Sequence, residues 1–168
     1  LDYAMENDGC DSIMLRNTYS NLNYLYYGVQ DYPNALDMAL KELEICQKTK
    51  SDIILPYMHI GASYLALDSM RKAETTFDSA YTRVIRSKEV AKHQNTLVHL
   101  LNNYSELKCL TKAKDCFSRI DVNPLEDFSG FSCIAFAQYY ESDGKTDSAA
   151  IYCKRILDDG TGIDNMYD

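Results

Sequence analysis

The chain has 168 residues, about one domain by length, of which 46% are hydrophobic and 25% charged. That balance excludes general disorder, and with only 3 Pro and 7 Gly the chain is neither collagen-like nor a linker. Lys plus Arg number 17 against 25 Asp plus Glu, and the resulting net charge of −8 argues against a nucleic-acid partner, whose phosphates call for cations.

Taken in chain order, apolar residues recur at helical spacing and predict helices near 11–29, 33–48, 52–67, 70–87, 90–107, 110–120, 127–142 and 146–158. Residues 1–10 read as the end of an upstream helix. Pro33 stands where a helix start tolerates proline, and Asp52 suits a helix N-terminus. Asn123-Pro124 and Asp159-Gly160 close the third and fourth helical hairpins. Residues 160–168 read as the opening of a helix that is then cut. With no initiator Met or leader at Leu1, the expectation is a piece of a longer protein. No apolar run reaches the roughly 18 residues of a membrane span.

Each predicted hairpin carries a Tyr nine residues before an Ala: Tyr26 and Ala35, Tyr64 and Ala73, Tyr104 and Ala113, Tyr140 and Ala149. The alanines are 38, 40 and 36 residues apart. Between Tyr and Ala lies a polar turn, such as Gln30-Asp31 or Asp68-Ser69. One hairpin cannot cover its own apolar face, so a period of this length points to hairpins that stack and share a core. A generic helical bundle is the other architecture such helices allow.

On these residues the sequence resembles the tetratricopeptide repeat (TPR) family. The family pattern is an aromatic, Leu-Gly and Tyr on a first helix, then Ala, Phe and Ala on a second. The second hairpin matches with Tyr57, Ile60-Gly61, Tyr64, Ala73, Phe77 and Ala80. The first gives Tyr19, Leu22, Tyr26, Ala35 and Ala39, with Asn23 where Gly is expected. The third gives Leu97, Leu100, Tyr104, Ala113 and Phe117, with Leu101 at the small position. The fourth gives Cys133, Phe136-Ala137, Tyr140, Ala149, Cys153 and Ile156. The resemblance implies an all-α fold, a TPR-like α-solenoid in one domain over 1–168. Its repeats lie near 11–49, 52–88, 90–122 and 127–159, with a truncated fifth at 160–168.

In TPR proteins the concave face made by the first helices usually holds a peptide or an extended partner segment. The resemblance therefore implies a protein-interaction module, a scaffold or sensory part. The Tyr-rich, lengthened repeats are similar to TPR regions of Bacteroidetes regulators. That similarity implies a larger bacterial signalling or transcription-regulating protein, either cytoplasmic or the periplasmic part of a membrane-anchored regulator. The outward positions on the first helices are Asn17, Ser20, Tyr24 and Tyr27, then Leu55, Met58, Ala62 and Leu65. They continue with Asn95, Val98, Asn102 and Ser105, and end with Phe131, Ile134, Gln138 and Glu141. The candidate partner-binding residues are Asn17, Tyr24, Tyr27, Met58, His59, Asn102 and Gln138. Tyr and Asn offer hydrogen bonds beside an apolar body. They suit backbone amides, but also a small-molecule or glycan-like ligand, and self-association into a homodimer stays open as well. Ser20, Tyr24, Ala62 and Val98 hold no basic cluster, so the family's mode of gripping a terminal carboxylate is not expected.

His59 and His99 share one position in successive repeats, either as a pH-sensitive or weak metal pair or as two hydrogen-bonded or solvent-facing rings. The six cysteines form no C-x-x-C pair and read as small core residues. Cys133 and Cys153 replace the Tyr57 and Phe77 positions. They read as core thiols, or as a disulfide in an oxidising compartment. No G-x-S-x-G, H-E-x-x-H or phosphate-binding Gly loop occurs, so no catalytic residue, metal or cofactor is expected.

Overall fold

The computed structural model describes residues 8–121, Asn123, Leu125 and residues 130–158. Among the described residues it has eight α-helices and no strand. They are α1 (Asp8–Gly28), α2 (Tyr32–Lys48), α3 (Ile54–Ala66), α4 (Met70–Arg86), α5 (Gln94–Glu106), α6 (Leu110–Phe117), α7 (Gly130–Ser142) and α8 (Thr146–Asp158). The chain forms two compact units, Leu1–Arg83 and Val84–Asp168, whose boundary falls inside α4. In the first unit α1 packs on α2 and α2 on α3. Helices α3 and α4 meet where Gly61 faces the Phe77 ring. In the second unit α5 packs on both α6 and α7, and α7 on α8. The fold is thus all-helical, with adjacent helices paired, as an α-helical repeat requires.

Helix ends follow local chemistry. Asp31 caps α2 through its carboxylate on the Asn34 N–H, and Pro33 sits in the first turn, where no donor is needed. Asp52 acts one residue outside its expected place. Its Oδ1 accepts the Ile54 N–H at 2.9 Å, while Ile53 is the residue at the cap. Helix α6 ends at Phe117 rather than 120, because Arg119 and Ile120 turn back onto Cys116 and Phe117 carbonyls. A 3₁₀ turn, Val90–His93, precedes α5, so the third first helix starts later than periodicity suggested. The expected helix at 160–168 and the breakers Pro124 and Asp159-Gly160 lie outside the described residues.

The repeat is clearest in the backbone of the turns. Gln30, Asp68, Lys108 and Gly144 each stand four residues after the repeat's Tyr, and each has a positive φ, from 54° to 73°. In every hairpin the next residue's N–H returns to the Tyr carbonyl. Asp31 reaches Tyr26, Ser69 reaches Tyr64, Cys109 reaches Tyr104 and Lys145 reaches Tyr140, all within 2.8–2.9 Å. This is a Schellman ending, which satisfies the last carbonyls of a helix by passing one residue through the left-handed region. Only Gly144 does so without a steric penalty from Cβ.

The core follows the Tyr/Ala stripe. Ala35, Ala39, Ala73, Phe77, Ala80, Leu97, Leu100, Leu101, Tyr104, Ala113 and Cys133 are all fully buried. Each large member contributes about 1.5–3 kcal/mol of burial. Helix α8 is the least covered: Ala149 is half-buried and Ile151 and Leu157 are exposed. An aromatic cluster ties it to α7. Tyr152 stacks on Tyr140 at 5.6 Å and leans on Phe136 at 5.4 Å, and Phe117 of α6 stacks on Tyr139 at 4.5 Å. Burial, aided by the neighbouring Tyr140, pushes the Tyr152 hydroxyl up to about 12. The expected alternative of a Cys133–Cys153 disulfide is corrected here. Cys133 is buried in α7, Cys153 is exposed on α8, and both are thiols.

Candidate functional site

In the first unit the candidate residues separate into two groups. Asn17, Tyr24 and Tyr27 lie exposed along α1. Asn17 takes hydrogen bonds from its neighbour Arg16, Tyr24 is 60% exposed, and Tyr27 meets Tyr32 edge-on at 5.2 Å. On α3, Met58 is half-buried and Leu55 exposed, whereas Leu65, expected to face outward, is buried. His59 points to α2. Its Nδ1 lies 2.8 Å from Oε2 of Glu42, a carboxylate that is 1% exposed. The His59 ring therefore serves the α2–α3 contact. His99, in the same register of the second unit, stacks on Phe131 of α7 at 4.2 Å. Each histidine is thus engaged inside its own unit by a different partner.

In the second unit, Val98 and Ser105 are buried rather than outward, because α7 lies against α5 and covers that side. Asn102 and Gln138 occupy equivalent positions on these two packed helices, each two residues before the repeat's Tyr. The side-chain oxygens of both, Asn102 Oδ1 and Gln138 Oε1, are buried with no hydrogen-bond partner. A buried polar atom without a partner costs about 1–3 kcal/mol. In the first unit this register holds Tyr24 and Ala62, which supply no such acceptor pair.

Next to Gln138 lies a cavity of about 480 Å³, lined by Ser105, Glu106, Lys108, Leu110, Gln138, Glu141 and Ser142. It sits where α5 and α7 both end. An ionic clamp begins at the residue after Ser142. Asp143, 7% exposed, binds Lys114 Nζ at 2.6 Å and Lys145 Nζ at 2.8 Å, and so ties α6 to the α7–α8 turn. Hydrogen bonds from these two ammonium groups hold the Asp143 carboxyl below its ordinary range. Burial, with the Asp143 charge nearby, pushes the adjacent Tyr139 hydroxyl up.

Ser105, Gln138 and Glu141 of this lining were legible as face positions. Glu106, Lys108, Leu110 and Ser142 were not, since they belong to helix ends and to the left-handed turn. A positive φ at a lysine leaves no mark in the sequence. Among the described residues no three His, Cys, Asp or Glu side chains gather as a metal site would need, and no helix is long and apolar enough to cross a membrane. Compared with models of known protein families and with curated proteins, the chain matches none.

Proposed function

We propose that this chain is a TPR-like protein-interaction module that takes a partner segment on the face of its first helices, as the scaffold or sensory part of a larger bacterial regulator. The observation that carries the reading is the pair of unpaired amide oxygens, Asn102 Oδ1 and Gln138 Oε1, at equivalent positions of two packed helices. Both residues are half-buried as a whole, so a change of rotamer would turn the oxygens out to the N–H donors of an extended segment. The gain on binding is larger for an acceptor already stripped of water, because its desolvation is already complete in the unbound chain.

Phage-displayed peptides selected on the chain test this. They should bind it at least tenfold more tightly than the Asn102→Leu/Gln138→Leu variant. Equal binding by the variant would remove the face from the reading. A second reading, a glycan-like ligand, is favoured by the exposed rings of Tyr24 and Tyr27 in the first unit. Oligosaccharides that raise the melting temperature of the chain but not of Tyr24→Ala would support it, by mass action.

A further inference from the structure

We propose that the cavity at the ends of α5 and α7 takes the ammonium or guanidinium group of a lysine or arginine side chain carried by the partner segment. The inference rests on the reading of the α5–α7 face given above and names the chemistry of what binds there.

Most of the polar side chains in the lining are acceptors. Ser105 Oγ already donates to the Leu101 carbonyl at 2.8 Å, and Ser142 Oγ to the Tyr139 carbonyl at 2.7 Å. Each hydroxyl has thereby spent its one hydrogen and retains only lone pairs. Gln138 Oε1 has no donor. The carboxylates of Glu106 and Glu141 are exposed and have no ion pair or hydrogen bond among the described residues. The C-termini of α5 and α7 add partial negative charge to the same space, which the N-terminus of α6 at Leu110 partly offsets. The volume, about 480 Å³, is that of a small-ligand pocket, for which about 300–1,000 Å³ is usual.

Apart from Lys108 and the Gln138 amide nitrogen, the polar side chains of the site are acceptors, and a guanidinium or ammonium group is a donor with no acceptor. The net charge of −8 favours the approach of a cationic segment. Lys108 is the one cation in the lining. It stands on the left-handed turn and pairs with neither glutamate, so it competes with an incoming cation.

The test is a titration of the whole ¹⁵N-labelled chain with acetyl-Gly-Arg-Gly-amide and, separately, acetyl-Gly-Gln-Gly-amide. The arginine peptide should shift the backbone amides of 105–108 and 138–142 and the Gln138 side-chain amide, and the glutamine peptide should leave them in place. Glu106→Gln/Glu141→Gln should weaken the arginine response at least fivefold while its other resonances report an intact fold. Lys108→Gln should strengthen it at least twofold at low salt. Equal shifts from both peptides would overturn the cation preference and leave the face reading intact. Absence of shifts from either peptide, while the selected phage peptides still require Asn102 and Gln138, would overturn this inference alone. Failure of those phage peptides as well would overturn the reading beneath it.

Discussion

The first and second hairpins solve the same packing problem with opposite chemistry. In the second, Gly61 on α3 leaves room for the Phe77 ring of α4, which fills the space completely. In the first, the same two positions hold Asn23 and Ala39. The larger residue is now on the first helix and the smaller on the second, and Asn23 Nδ2 donates to the Ala35 carbonyl at 2.7 Å. All four residues are buried. What the repeat preserves is the filled volume between paired helices, and the residue type that fills it is free to change sides. The exchange has one condition, that the polar atoms of Asn23 find a partner, and the α2 backbone provides it.

The comparison can be broken most severely at its largest member. Phe77→Ala should cost about 3–5 kcal/mol, read as a fall in the urea midpoint, because a fully buried ring leaves a cavity. Gly61→Ala comes next. A Cβ there would lie 2.5 Å from Phe77 Cε1, so overpacking of about 1–3 kcal/mol is expected. The gain of about 1 kcal/mol in helix propensity offsets part of it. The double change Gly61→Asn/Phe77→Ala, which copies the first hairpin, should be more stable than Phe77→Ala alone.

Asn23→Ala should cost about 1 kcal/mol for the lost buried hydrogen bond. Thermal unfolding matching the parent chain would show that volume alone holds the first hairpin. At the turns, Gly144→Ala should cost about 1–2 kcal/mol, since a Cβ meets no neighbour there and only the left-handed backbone objects. Lys108→Gly should stabilise by a smaller amount, partly offset by unfolded-state entropy.

The smallest effect sharpens the contrast between the units through the clamp of the second. Native Asp143 gives up its proton at a lower pH than its ordinary 3.8, so the unfolded chain binds more protons below about that pH. Its contribution is present above this window and is lost as pH falls through the native value. Asp143→Asn should flatten the acid limb of the melting curve as pH falls through and below the ordinary carboxylate range, and an unchanged limb would assign acid unfolding to other carboxylates.

Most of the fold was legible because its cause is local. The Tyr/Ala spacing marks where a helix must bury a stripe, and Tyr26/Ala35 and Tyr64/Ala73 placed their hairpins within three residues. The left-handed turns were legible only as polar breaks. Gln30, Asp68 and Lys108 have no common chemistry, and their shared φ comes from the geometry of closing a helix on its partner. Of the candidate face, Asn102 and Gln138 were reached by counting along the helices. That their oxygens have no partner could not be read, because satisfaction of a polar atom depends on what α5 and α7 place around it. His59 shows the opposite case. Its register suggested a histidine pair with His99, yet Glu42 is seventeen residues earlier on α2 and holds the ring at 2.8 Å.

By itself, then, the sequence determined that the described residues are helical and where its hairpins turn. Those properties follow from the period of apolar residues and from turn chemistry, both of which act over a few residues. Tertiary structure alone decided that Gly61 must yield to Phe77, that Glu42 takes His59, and that the ends of α5 and α7 enclose a cavity whose polar side chains are mostly acceptors. These depend on distances between helices far apart in the chain, and hydrophobic periodicity carries no information about them.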